Sequence, residues 1–333
     1  MNLKKSMLLV ITCAIIFSIL ISCQPEENLP IISVDLDYEM KGKKGGYSIL
    51  SVNVGNSDLT CHSFDFKLCH NQVRDRIAAN IKQLHPDIVV IQELLGSEQC
   101  TQEQMANSKH ICYQLDKSSQ ARQLVGNNYT IMMDNRNHHE AVAVHTDIGK
   151  IIGCGLTEEC TFARTAPSIP GCIDDFSVSA TTIQLNSGFV FDLINAHPTS
   201  RNVTCRASMI NQIFTQSIDY SALIEQNRVM ISGDFNLDPW REKDESTLIW
   251  ATLFDQGWAG KPFNYHSGVA EINPPHYTFH LLIQNRTIDF IVSNFAKGVV
   301  YVLGETPGTN RLDGGSGMDH RGLFGWLLLE EVP

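Results

Sequence analysis

The sequence predicts an α+β protein in which β-sheets pack face to face as a sandwich, and three observations lead to this class. Short apolar runs of strand length recur along the chain, amphipathic helical segments are few, and the first elements form a strand–helix–strand unit. A doubly wound parallel sheet would need more helices than this sequence supplies. With 333 residues, of which 43% are hydrophobic, the chain can bury a large core.

The first three elements have clear patterns. Residues 47–54 (YSILSVNV) predict a strand, residues 69–86 an amphipathic helix and residues 87–94 (DIVVIQEL) a buried strand. The helix prediction rests on four apolar residues that share one face: Val73, Ile77, Ile81 and Leu84. Later apolar runs predict strands at 129–133, 140–146, 177–185, 188–196, 228–233, 287–293 and 323–329, and two more helices are expected at 203–218 and 244–256.

The N-terminus has the pattern of an export signal. Lys4 and Lys5 precede an apolar stretch that ends near Ile21, which is too short for an ordinary membrane span. The residues Leu20-Ile21-Ser22-Cys23 resemble a bacterial lipobox, which implies cleavage after residue 22 and a lipid on Cys23. An ordinary secretory signal and an uncleaved anchor are the alternatives. We therefore divide the chain into a signal peptide (1–22), a tether (23–46) and a main folded domain (47–333).

Cysteine content agrees with export. Beyond Cys13 and Cys23 the chain has eight cysteines, and an even set favours disulfides in an oxidising compartment. Their spacing does not form the paired motifs of zinc sites. Two pairs are close enough in sequence to be expected as disulfides: Cys61–Cys69 and Cys100–Cys112.

The formal net charge of −11 argues against tight, passive binding of a polyanion. It does not exclude an enzyme that meets phosphate groups through a bound divalent cation. We expect a monomer.

Polar residues stand at the ends of the predicted strands. Asp234 and Asn236 follow the run Val229-Met230-Ile231, and because they are two positions apart they are expected on the same face. Other strands end in, or are flanked by, further polar residues: Asn53, Glu93, His197, Asp289, Asp319 and His320. Singly, each has an ordinary alternative as a turn residue, a solvated strand end or a loop contact. Together they are the carboxylates, imidazoles and amides of a metal-assisted phosphoryl hydrolase.

The motifs that carry these residues occur in a familiar order. The segments SVNVGN, IQE, NAHP, GDFN, TIDFIVSN and MDH resemble, in this order, the signatures of the endonuclease/exonuclease/phosphatase superfamily. The resemblance spans roughly residues 47–330, and GDFN is its most specific piece. It implies a DNase I-like fold, a four-layered α/β sandwich of two packed mixed β-sheets flanked by helices.

The resemblance also implies a metal site. Glu93 would be the principal ligand of a Mg²⁺-type cation, with Mn²⁺ or Ca²⁺ as alternatives, because such hard ions prefer oxygen ligands. Asn53 and Asp319 would complete or orient the metal shell. Asp234 and Asn236 would orient the attacking water and hydrogen-bond the phosphate.

Two histidines receive catalytic roles by the same resemblance. His320 would be a general acid/base or would stabilise the transition state, with Asp289 as the carboxylate behind its imidazole. His197 matches the second histidine of the DNase I, sphingomyelinase and inositol-polyphosphate 5-phosphatase branches. We infer that Glu140 orients it, with a solvated strand start as the alternative for Glu140.

We therefore expect an exported, divalent-metal-dependent phosphoesterase that cleaves phosphodiester bonds. Within this class a DNase I-like nuclease is the favoured function. IQELL lacks the basic residue that DNase I places after the glutamate, which weakens an assignment to double-stranded DNA. A sphingomyelinase or phospholipase C-type enzyme, an inositol-phosphate phosphatase and a non-catalytic surface binding module are the alternatives.

Overall fold

The computed structural model describes ten parts of the chain: residues 46–55, 70–94, 118–134, 139–172, 178–214, 228–257, 261–265, 277–281, 284–304 and 320–329. The expected signal peptide, nearly all of the tether and the expected pairs Cys61–Cys69 and Cys100–Cys112 lie outside these residues.

The described residues form sixteen strands and four helices, which we number in chain order. The strands are β1 (Gly46–Asn53), β2 (Ile88–Leu94), β3 (Tyr129–Met133), β4 (His139–His145), β5 (Gly149–Ile151), β6 (Glu159–Thr161), β7 (Arg164–Thr165), β8 (Val178–Leu185), β9 (Val190–Ala196), β10 (Val229–Asp234), β11 (Asn264–Tyr265), β12 (Phe279–Leu281), β13 (Gln284–Arg286), β14 (Asp289–Ser293), β15 (Ala296–Val302) and β16 (Leu323–Leu329). The helices are α1 (His70–Leu84), α2 (Gln120–Val125), α3 (Val203–Phe214) and α4 (Glu245–Gln256).

Fourteen of these strands build two large mixed sheets, and β12 pairs with β13 in a separate two-stranded sheet. The first has the order β15-β16-β1-β2-β4-β3-β6, and the second has the order β11-β14-β10-β9-β8-β5 with β7 paired to β8. In the first sheet β1 and β2 are parallel, and in the second β9 and β10 are parallel. The neighbouring strands β16, β4, β14 and β8 run antiparallel to these central pairs. Each sheet therefore has two parallel strands at its centre.

Three apolar clusters separate four layers. Between the sheets lies a core to which Val90 of β2 and Leu193 of β9 both belong. On the outer face of the first sheet, Ile77 of α1 packs in a second cluster, and on the outer face of the second sheet Trp250 of α4 packs in a third. Burial of such side chains stabilises each layer contact by about 1.5–3 kcal/mol per residue. The result is the sandwich of two sheets flanked by helices that the sequence predicts.

Every predicted strand is present, with ends that agree within about two residues. The predicted helix at 203–218 is described as far as Phe214. The sequence prediction missed α2 and seven strands, most of them only two or three residues long: β5, β6, β7, β11, β12, β13 and β15. Strands of this length carry too few residues for a period to be visible.

Two disulfides lie in the described residues. Cys154 pairs with Cys160, and Cys172 pairs with Cys205 at the start of α3. The sequence had indicated disulfides without fixing these partners, because pairing follows from Cα distances in the fold rather than from spacing. None of the described helices is long and apolar enough to cross a membrane.

Candidate active site

Strand direction gathers the site at one rim of the sandwich. The parallel strands β1, β2, β9 and β10 all end there, and their antiparallel neighbours β4, β14 and β16 begin there. Strand β10 contacts both β1 and β2 across the interface between the sheets. Polar residues that are far apart in sequence therefore meet at this rim.

Eight of the nine predicted site residues lie in the described part of the chain, and the structure brings all eight to this rim: Asn53, Glu93, Glu140, His197, Asp234, Asn236, Asp289 and His320. The ninth, Asp319, lies outside the described residues. Seven of the eight are buried, and Glu93 is partly exposed.

Asp234 is at the centre of the site. Its Oδ2 accepts a hydrogen bond from Asn53 Nδ2 at 3.1 Å, and the same oxygen lies 3.6 Å from His197 Nε2 and 3.5 Å from His320 Nε2. Its other oxygen, Oδ1, accepts a hydrogen bond from the backbone N–H of Asn236 at 2.8 Å. One buried carboxylate thus faces both imidazoles.

The backbone around Asp234 explains the glycine in GDFN. Gly233 has φ +143, and a Cβ on it would lie 2.1 Å from the carbonyl oxygen of Ala196 on β9. Only glycine fits this position. β10 ends at Asp234, and Asn236 has φ 52, so the two residues are not successive members of one strand face. Asn236 instead donates from Nδ2 to the carbonyl oxygen of Pro198 at 3.0 Å.

Glu93 occupies a distorted strand end. The register between β2 and β4 shifts between Ile91 and Leu94, and Glu93 in this β-bulge has φ 59. A left-handed conformation costs a non-glycine residue about 1–2 kcal/mol, and such strain is concentrated at functional sites. Glu93 Oε1 accepts a hydrogen bond from Asn53 Nδ2 at 3.0 Å.

The amide of Asn53 holds two carboxylates. Its Oδ1 accepts the backbone N–H of Gly55 at 2.9 Å, which leaves Nδ2 directed at Glu93 and Asp234. An amide nitrogen does not bind Mg²⁺. In this arrangement Asn53 Nδ2 contacts both carboxylates, and its role in completing or orienting a metal shell stays a prediction.

Each histidine has a carboxylate behind it. His197 Nδ1 lies 3.1 Å from Glu140 Oε1, while His197 Nε2 lies 3.8 Å from Glu93 Oε1. His320 Nδ1 lies 3.1 Å from Asp289 Oδ2. A carboxylate at Nδ1 fixes the tautomer and the orientation of the ring. Both expected histidine–carboxylate pairs are therefore present, with their Nε2 atoms directed at Asp234.

Burial sets the electrostatics of this site. It raises the pKa of Asp234 to about 6, although the nearby His320 lowers it. Burial also lowers the pKa of His197, although Asp234 and Glu93 raise it. The site contains four carboxylates and only two imidazoles among its described residues, so it has an excess of negative charge.

This donor set fits a divalent cation. Ligand atoms of Asp234, Asp289 and His320 lie within 4.8 Å of one another. The partly exposed carboxylate of Glu93 is a further oxygen donor at the same rim. Oxygen ligands of this kind suit Mg²⁺, Mn²⁺ and Ca²⁺.

Sequence reasoning missed three residues that support the site. Thr278 Oγ1 accepts the backbone N–H of Asp289 at 3.0 Å, and Gln92 Nε2 donates to Asn195 Oδ1 at 2.9 Å. Asn195 lies two positions before His197, so the period of a strand places both side chains on one face. That period is the signal that would have drawn attention to Asn195.

No protein-family model and no curated protein matches the sequence. Solved structures do match the fold. The catalytic domain of human Nocturnin with bound sulfate is 13% identical with a TM-score of 0.57, and the match covers 85% of this chain and 94% of the Nocturnin chain. ANGEL2, a 2′,3′-cyclic phosphatase in complex with adenosine-2′,3′-vanadate, is 14% identical with a TM-score of 0.57, and the match covers 86% of this chain and 96% of the ANGEL2 chain. D. rerio TDP2 in complex with a single-strand DNA product has 14% identity and a TM-score of 0.54 with 85% and 98% covered. The chain therefore has the DNase I-like fold, a four-layered α/β sandwich of two mixed sheets flanked by helices.

Proposed function

We propose that this protein is a divalent-metal-dependent phosphoesterase of the endonuclease/exonuclease/phosphatase superfamily, and that it cleaves phosphodiester bonds in nucleic acid. One observation carries the proposal: the buried carboxylate of Asp234 faces two imidazoles, each of which has its own carboxylate at Nδ1. A buried cluster of ionisable side chains is costly in free energy and is typical of sites that carry out acid–base chemistry.

The choice of phosphoester chemistry is supported by the structures with the same fold. D. rerio TDP2 is described with a single-strand DNA product, and ANGEL2 is described as a 2′,3′-cyclic phosphatase. The motif order in this chain supports the same superfamily.

A reaction follows from the geometry. Water attacks phosphorus in line, and Asp234, whose pKa near 6 suits a proton acceptor, takes up the proton as the new P–O bond forms. As the P–O bond to the leaving oxygen breaks, the His320 imidazolium, which Asp289 stabilises at Nδ1, gives its Nε2 proton to that oxygen. The Asn236 side chain and His197 fix the position of the phosphate. A bound divalent cation at Glu93 would supply charge neutralisation for the phosphate oxygens.

Substrate class is tested by a side-by-side hydrolysis assay of the purified protein. With Mg²⁺ present, we expect loss of single-stranded DNA or RNA, and no turnover by His320→Ala. Turnover of sphingomyelin or inositol phosphates in place of nucleic acid would move the assignment to those branches. A folded wild-type protein that hydrolyses none of these substrates would contradict the proposal.

We further propose export by residues 1–22 and a membrane anchor through a lipid on Cys23. The lipobox-like sequence and the two disulfides support an oxidising compartment outside the cytoplasm. Incorporation of labelled fatty acid that Cys23→Ser abolishes is the expected result, and equal labelling of both proteins would contradict the anchor.

A further inference from the structure

We propose that Asn195 is a positioning residue that links the two sheets at the rim where Glu93, Glu140 and His197 lie. This inference rests on the function proposed above. Asn195 lies on β9 of the second sheet and is fully buried. Its Nδ2 donates to two carbonyl oxygens of the first sheet, at 3.1 Å to Ile91 and at 3.2 Å to Ala141. Its Oδ1 accepts a hydrogen bond from Gln92 Nε2 at 2.9 Å. One side chain thus makes three hydrogen bonds across the sandwich.

These contacts fall at the β-bulge. Ile91 and Ala141 are the last regular pair of β2 and β4 before the register shift, and Glu93 with its positive φ lies within the shift. A buried carbonyl that loses its donor costs about 1–3 kcal/mol. Asn195 therefore supplies hydrogen bonds where the ladder between the two strands is interrupted, and it stabilises the backbone that directs Glu93 into the site.

All three contacts of Asn195 lie within two positions of a site residue. Gln92 directly precedes Glu93, Ile91 lies two positions before Glu93, and Ala141 directly follows Glu140. His197 in turn lies 3.1 Å from Glu140 and 3.8 Å from Glu93. A displacement of about 1 Å at a catalytic site can lower the rate by about 10²-fold. The hydrogen bonds of Asn195 fix the separation of the two sheets next to His197, Glu140 and Glu93, and therefore the distances between these three side chains.

The chain offers a matched control in Ser179. This residue of β8 is paired with Asn195 in the second sheet and is fully buried. Within the described part of the chain its hydroxyl makes no hydrogen bond. Ser179→Ala therefore removes a buried polar group from the residue paired with Asn195, without removing a hydrogen bond between the sheets.

The experiment compares Asn195→Ala with Ser179→Ala by steady-state kinetics on the substrate that the wild type hydrolyses. We expect Asn195→Ala to lower kcat by about 10–100-fold with little change in KM, as loss of a group that orients catalytic ligands does. Ser179→Ala should have the kcat of the wild type. Equal kcat for folded Asn195→Ala and wild type would overturn the proposal.

A second readout is independent of activity. The ring ¹⁵N chemical shifts of His197 report its hydrogen bond to Glu140, and we expect Asn195→Ala to change them while Ser179→Ala leaves them as in the wild type. An inactive wild type would refute the proposed function, but the His197 shifts would still decide the role of Asn195. Unchanged shifts in folded Asn195→Ala would count against it.

A milder variant covers the case in which Asn195→Ala does not fold. Gln92→Met keeps the volume but removes one of the three hydrogen bonds, together with an Oε1 that has no hydrogen-bond partner among the described residues. We expect a smaller loss of kcat and a smaller change of the His197 shifts in the same direction. Behaviour identical to Ser179→Ala would overturn the proposal.

Discussion

Asp234→Asn is expected to lower kcat by about 10³–10⁴-fold and to leave the fold intact, because a carboxylate that accepts a proton is replaced by an amide of the same size. Asp234 Oδ2 lies 3.6 Å from His197 Nε2 and 3.5 Å from His320 Nε2, so this one carboxylate faces both rings. Steady-state kinetics with circular dichroism as the check of folding measures the effect.

Asp192→Asn is the matched control. Asp192 is also a buried carboxylate, and it accepts a hydrogen bond from Arg164 at 2.8 Å. It lies four residues before Ala196 on β9, which places it about 13 Å along the strand from the rim. We expect Asp192→Asn to lower the melting temperature but to keep the turnover of the wild type. Equal losses of turnover in both variants would show that any buried carboxylate matters and would contradict the role of Asp234.

His320→Gln is expected to lower kcat by about 10²–10⁴-fold, because the imidazolium is the proton donor to the leaving oxygen. Asp289 acts through this ring, since its carboxylate contacts His320 Nδ1 at 3.1 Å. Asp289→Asn should therefore have a smaller effect alone and no additional effect in the His320→Gln background.

The double-mutant cycle decides whether the two residues act as one unit. Losses that multiply in the double variant would mean that Asp289 acts independently of the imidazole. That result would contradict the pairing on which the proposed acid–base role of His320 depends. Circular dichroism of all three variants separates lost catalysis from lost structure.

The fold was predictable from sequence because the central strands are long and apolar. Residues 87–94 and 188–196 gave strands close to the observed β2 and β9. Parallel strands end at the same edge of a sheet, so the polar residues after them could be expected to converge. The structure does bring Glu93, His197 and Asp234 together at one rim, and their catalytic and metal-binding roles stay predictions.

Other features of the site were beyond the sequence because they depend on strand register and on local backbone geometry. The positive φ of Glu93 arises from a β-bulge in the pairing of β2 with β4. The direction of the Asn53 amide depends on the backbone N–H of Gly55. β15 is a different case, since its run Val299-Val300-Tyr301-Val302 consists of β-branched and aromatic residues, and the strand could have been recognised from that composition.

The most direct test of the proposed function is removal and return of the metal. After treatment with EDTA, the wild type should no longer hydrolyse bis(p-nitrophenyl) phosphate, and added Mg²⁺ or Mn²⁺ should restore the rate. Glu93→Gln should need a higher metal concentration for the same rate, because it removes one charge from the group placed at the cation. Hydrolysis that continues at the full rate in EDTA would contradict a metal-assisted phosphoesterase at this rim.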